Sequence, residues 1–89
     1  MMRRKLIVVA DDLGASMAVN SGVVSSYIDG VVTSASLLVG MPYTADGINR
    51  AKDVELPMGL HLRLTEGPPL TKGPSHFGLC EGGQFLSPI

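Results

Sequence analysis

Two adjacent carboxylates, Asp11 and Asp12, and a histidine far along the chain, His61, are the residue types in this 89-residue sequence best suited to hydrolytic chemistry. The pair follows directly on an apolar run at residues 5–10, and the C-terminal rim of parallel strands is where α/β enzymes carry their catalytic groups. Consecutive side chains on a strand point to opposite sides, and adjacent carboxylates at a rim can divide labour. One ligates a metal while the other takes a proton from bound water. The competing reading makes one Asp a helix or turn cap and the other a solvated charge. Alternation along LHLRL sets His61 on one face with Gly59 and Arg63 and leaves Leu60, Leu62 and Leu64 on the other. A lone strand histidine is also at home as a hydrogen-bonded, partly buried residue. An Asp and a His from the ends of different parallel strands nevertheless begin an oxygen and nitrogen ligand set, to which a catalytic site adds a third protein ligand and an open position for water.

Other candidates carry less. Gly14 gives the backbone freedom immediately after the carboxylates, for a ligand's approach or for an ordinary turn. Thr65 and Glu66 suit either hydrogen bonds to sugar hydroxyls or the fixing of a loop. His76 has no partner at a ligand spacing and reads as exposed, and Cys80 has no neighbouring base in sequence. No G-x-G-x-x-G or P-loop string occurs, which argues against dinucleotide and nucleoside triphosphate binding.

The elements that must position these groups follow from periodicity. Residues 5–10 read as a strand buried on both faces of a parallel sheet. From Ser16, the positions Met17, Val19, Val23, Val24, Tyr27 and Ile28 mark a helical stripe, with Gly30 where a left-handed C-terminal cap is expected. Residues 33–39 form a second strand, a short helix opens at Tyr43 or Thr44 and runs to about Lys52, and residues 58–64 form a third strand. The alternation implies parallel crossovers with all strand ends on one rim. Beyond Glu66 the chain turns rich in Pro and Gly, a loop-rich tail over residues 71–89 with a short hairpin at Gly82 and Gly83.

With 45% apolar and 17% charged residues the composition is that of a globular chain and not a disordered one. A formal net charge of −1 supplies no basic field for nucleic acid or an anionic membrane. Arg3, Arg4 and Lys5 precede an apolar run that Asp11 and Asp12 cut too early for a signal peptide, and no window is long enough to span a bilayer. The single cysteine excludes an internal disulfide. A cytoplasmic location is the default expectation, and a homodimer is one possible state of assembly. Three parallel strands leave faces and edges uncovered, so the α/β pattern reads as the opening βαβαβ units of a distorted (β/α) TIM-like barrel continuing beyond Ile89.

Three strings, residues 6–14 (LIVVADDLG), 30–39 (GVVTSASLLV) and 59–67 (GLHLRLTEG), resemble in order and spacing the YdjC-like family of carbohydrate deacetylases, which includes chitooligosaccharide deacetylases. The likeness runs from about Lys5 to Leu70, and Gly83 to Leu86 resembles the family's short Gly-x-Phe segment. The resemblance implies that residues 1–89 are the N-terminal part of one such domain, ordered over about 1–70. It further implies removal of N-acetyl groups from amino-sugar oligosaccharides with a divalent metal, Mg²⁺ or alternatively Zn²⁺. Asp11 would be the general base, and Asp12 and His61 metal ligands. Leu13 stands where the family usually has Phe, and Arg63 where it often has Asn, a change expected to alter substrate choice or repel a metal. The family's third ligand, a later histidine, would lie beyond Ile89, with His76 too early to replace it, so little or no activity is expected of this chain alone. A non-catalytic product that binds carbohydrate or a partner through its sheet edge is the alternative from another class. A glycosidase pairing Asp11 or Asp12 with Glu66 is a third.

Overall fold

The structure is a computed structural model that describes residues 3–71 and 78–87. Its elements are β1 (Val9–Leu13), α1 (Met17–Ile28), β2 (Ser34–Leu37), α2 (Thr44–Asp53), β3 (Met58–Leu60), β4 (Cys80–Glu81) and β5 (Gln84–Phe85). The first three strands form a parallel sheet in the order β1-β2-β3, as the βαβαβ reading requires. Leu13 and Ala35 from the sheet meet Val23 of α1, Ala51 of α2 and Leu56 in one buried cluster, so both helices cover the same face.

Helix α1 begins where the sequence indicates: the Ser16 hydroxyl accepts from the Val19 N–H at 3.0 Å and satisfies one of the unpaired donors of the first turn. Val19, Val23 and Tyr27 from the expected stripe reach the core, while Met17 and Ile28 are exposed. Gly30 does not supply a left-handed cap. It is needed for space, since a Cβ there would lie 2.7 Å from the Ser26 carbonyl oxygen. The left-handed residue at a helix end is instead Glu55, with φ of 58°, which follows α2 and lets the Leu56 N–H return to the Ala51 carbonyl at 2.9 Å.

Both outer strands differ from expectation. β1 starts at Val9 and runs through the two carboxylates, and Leu6 and Ile7, expected inside, are 78% and 77% exposed. β1 is an edge strand with helices over one face only, so no described residue covers the other face. β3 ends at Leu60 because its one ladder partner, β2, ends at Leu37. After the His61 N–H donates to the Leu37 carbonyl at 2.9 Å, the chain leaves the sheet. The hairpin at Gly82 and Gly83 is present, with φ of 62° and 79° closing β4 on β5. It docks on the loop after β3 through the Phe85 N–H and the Gly67 carbonyl, 2.8 Å apart. His76 lies outside the described residues.

Candidate active site

Strand alternation alone would send Asp11 and Asp12 to opposite faces, with Asp12 directed into the helices. The structure avoids this with an irregularity in the β1–β2 pairing. Ala10 is opposite Ala35 and Leu13 opposite Leu37, so three steps on β1 match two on β2. Ala10 and Leu13 both pack on the helix side although an odd number of steps separates them, which an unbroken strand cannot do. The extra residue is absorbed at Asp12, whose φ of 67° lies in the left-handed region that Asp tolerates better than most side chains. The expectation of opposite faces is therefore corrected: the bulge brings both carboxylates to the same cluster.

That cluster is small and specific. Asp12 Oδ1 lies 3.2 Å from His61 Nδ1, with both side chains partly open to solvent. Asp11 Oδ1 accepts from the Ser36 hydroxyl at 3.0 Å, and Ser36 Oγ is 3.4 Å from the same histidine nitrogen. Three neighbouring strand ends thus contribute one group each to a rim, with Asp12 added by the bulge. Asp11 and Ser36 line up on the face away from the helices, and register places Gly59 beside Ser36, so His61, two residues on, arrives on that face as well.

Two donor atoms each about 2.1 Å from one divalent ion stand roughly 3.0–3.4 Å apart across an octahedral or tetrahedral edge. The 3.2 Å between Asp12 Oδ1 and His61 Nδ1 fits that span, and a carboxylate oxygen with an imidazole nitrogen suits a divalent cation. Among the described residues no set of three His, Cys, Asp or Glu side chains converges to hold an ion. Asp12 and His61 are a pair at that spacing among the described residues.

Arg63 takes a different place from the one alternation assigned it. Its guanidinium donates to the Glu66 and Val39 carbonyls and stacks 5.5 Å over the Phe85 ring, clamping the loop after β3 to the hairpin. Glu66 enters through its main chain, the structural half of its expected role, and Thr65 is exposed. A pocket of about 400 Å³ opens beside His61 and Arg63, walled by Val39, Leu62, Leu70 and Phe85.

One residue of the cluster, and one buried under the loop that follows β1, were not singled out by sequence reasoning. Ser36 reads as an ordinary strand serine until register places it between Asp11 and His61. Asn20 is fully buried, and its one sequence signal is a polar residue on the apolar stripe of α1 between Val19 and Val23.

Comparison with known proteins gives a consistent result. The model of the family described as YdjC-like protein matches residues 5–88. A carbohydrate deacetylase of Vibrio vulnificus (strain YJ016) is 47% identical over 75 residues, 83% of this chain and 30% of the relative. One from Geobacillus stearothermophilus is 45% identical over 85 residues, 94% of this chain and 34% of the relative. This chain therefore spans about a third of the length of such curated relatives. Among solved structures, an Enterococcus faecalis V583 protein described for cellobiose-phosphate cleavage superposes with a TM-score of 0.83 at 32% identity, covering 97% of this chain and 35% of that one.

Proposed function

This chain belongs to the family of YdjC-like proteins, and from that premise we propose that it carries the first part of the active site of a metal-dependent carbohydrate deacetylase acting on N-acetylated amino-sugar oligosaccharides. The observation that carries the reading is the convergence of Asp12, His61 and Asp11 at one strand rim, with the first two at ligand spacing. Relatives named carbohydrate deacetylase at 45–47% identity support the reaction class. The parallel βαβαβ sheet and its bare face are read as the opening units of a distorted (β/α) barrel, whose interior that face would line.

Asp12 and His61 would hold the divalent ion, Mg²⁺ or Zn²⁺, which when bound supplies a polarised acetyl carbonyl and a more acidic water. Asp11 serves as general base. Ser36 donates to one of its oxygens, which orients the carboxylate and leaves the other oxygen to take the proton from the attacking water. Addition of that water to the acetyl carbonyl, and cleavage of the C–N bond as the proton held by Asp11 passes to the leaving nitrogen, release acetate and the free amine. With two arms of the ligand set in the described residues, the chain alone is expected to turn over little or nothing.

The test is acetate release from diacetylchitobiose with added Mg²⁺ or Zn²⁺, by this chain and by a version extended to the length of its relatives. Turnover in the extended protein that disappears in Asp12→Ala and in His61→Ala is expected. Near-parental turnover in either variant would overturn the site assignment, and cleavage of the glycosidic bond without metal would replace the reaction.

A further inference from the structure

We propose that Asn20 is a positioning residue for this site, holding from beneath the bulge that turns Asp12 toward His61; the inference rests on the reading of Asp12 and His61 as the working pair. Asn20 lies on α1, away from the cluster, yet has no exposed surface. Its Oδ1 accepts from the Gly14 N–H at 2.6 Å, and its Nδ2 donates to the Tyr43 carbonyl and to Asp46 Oδ2, each at 3.0 Å. Asp46 is held in turn by Arg50 Nε at 2.9 Å. The side-chain oxygen and both N–H groups are in use, and they join β1's exit, α1 and the start of α2.

A buried amide is costly unless fully partnered, and an apolar side chain could fill the same space between helices. What an apolar residue could not do is satisfy the Gly14 N–H. From Asp12 to Gly14 the chain takes φ of 67° and then 103° on either side of Leu13. Leu13 is pinned by its wholly buried side chain and by its carbonyl, which accepts from the Leu38 N–H at 2.8 Å. The Asp12 carbonyl is engaged by the Ala15 N–H at 3.0 Å. Asn20 adds the remaining restraint, at the N–H two residues past Asp12. A left-handed Asp persists only where its surroundings over-determine it. Gly47 allows the approach, since a Cβ there would lie 3.2 Å from both Asn20 Oδ1 and Leu13 Cγ.

The experiment uses the metal-free chain and a spectroscopic coupling. In the parent, Asp12→Asn is expected to shift the His61 ring resonances, because the two side chains touch. In an Asn20→Ser background, whose shorter side chain cannot span to Gly14 and Tyr43, that shift is expected to fall at least threefold. Ser16→Ala, which removes the cap of the same helix without touching the loop, is the control for lost stability. It should leave the shift within a third of the parental value. Full coupling in folded Asn20→Ser, or an equal loss in Ser16→Ala, overturns the proposal. Should Asn20→Ser not fold, Asp46→Ala, which removes one partner of Nδ2, must show a partial loss, and parental coupling there overturns it equally. Zn²⁺ titration separates the two levels. If His61→Ala binds Zn²⁺ as the parent does, the ligand reading fails, while the coupling result still decides the role of Asn20. If binding depends on His61, Asn20→Ser is expected to weaken it about tenfold, and binding within twofold of the parent counts against the proposal.

Discussion

Gly14→Ala should be among the most damaging one-carbon changes in this chain, and Gly22→Ala among the few that help. At Gly14 the added Cβ would sit 2.9 Å from the Leu38 carbonyl oxygen and 3.2 Å from Thr44 Cα, both backbone atoms. The Leu38 carbonyl cannot retreat freely, because it accepts from the Thr44 hydroxyl at 2.6 Å while the Leu38 N–H is bonded to Leu13. The φ of 103° adds a conformational cost of about 1–2 kcal/mol for an L side chain. Overpacking against fixed atoms adds about 1–3 kcal/mol. The sum of about 2–5 kcal/mol is a large fraction of the stability of a domain this size and should lower Tm on the order of 10–30 °C. Gly22 lies in α1 with nothing within 4 Å of the position an added methyl would take, so there the alanine should add about 0.5–1 kcal/mol through helix propensity alone. Thermal and urea melts followed by circular dichroism measure both, the urea midpoints being compared at unchanged m. A Gly14→Ala protein within about 0.5 kcal/mol of the parent would refute the reasoning, as would a Gly22→Ala protein destabilised to the extent expected of Gly14→Ala.

Three further outcomes are expected. Leu56→Ala removes a side chain only 4% exposed from the buried core cluster and should cost about 2–5 kcal/mol by urea melt, with no special effect on the rim. Ser36→Ala, assayed in a protein extended to the length of its relatives, should lower kcat about 10- to 100-fold with KM little changed. It deletes a hydrogen bond to a carboxylate proposed to act in the transition state, and a proportionate rise in KM alone would count against that role. Arg63→Lys should loosen the segment between His61 and Gly67, because a single ammonium cannot meet the Glu66 and Val39 carbonyls while stacking on Phe85. Faster hydrogen exchange of the Phe85 amide, which is bonded to the Gly67 carbonyl, reads the change, and unaltered exchange would show that the clamp is dispensable.

The sequence by itself settled the order of elements and named the candidate residues. Ser16 marks a helix start whatever surrounds it, because its hydroxyl serves donors only three residues away, and the Gly82–Gly83 pair can close a hairpin because both residues accept positive φ. Asp11, Asp12 and His61 were legible as candidates because few other residue types can bind a metal or move a proton at a strand end. What the sequence could not decide were the properties that depend on a neighbour. β3 stops at Leu60 because β2 has already ended, and Leu6 and Ile7 are bare because β1 begins only at Val9 and leaves them outside the sheet, facts that reside in the tertiary pairing. The bulge had no local signature: Asp12 takes a positive φ because Leu13 is drawn into the core, Leu38 holds its carbonyl and Asn20 holds the next N–H. Periodicity assumes an unbroken strand, so it assigned the two carboxylates to opposite faces and Arg63 to the face of His61. Only the tertiary structure, by pairing three steps of β1 against two of β2, placed both carboxylates with Ser36 and His61.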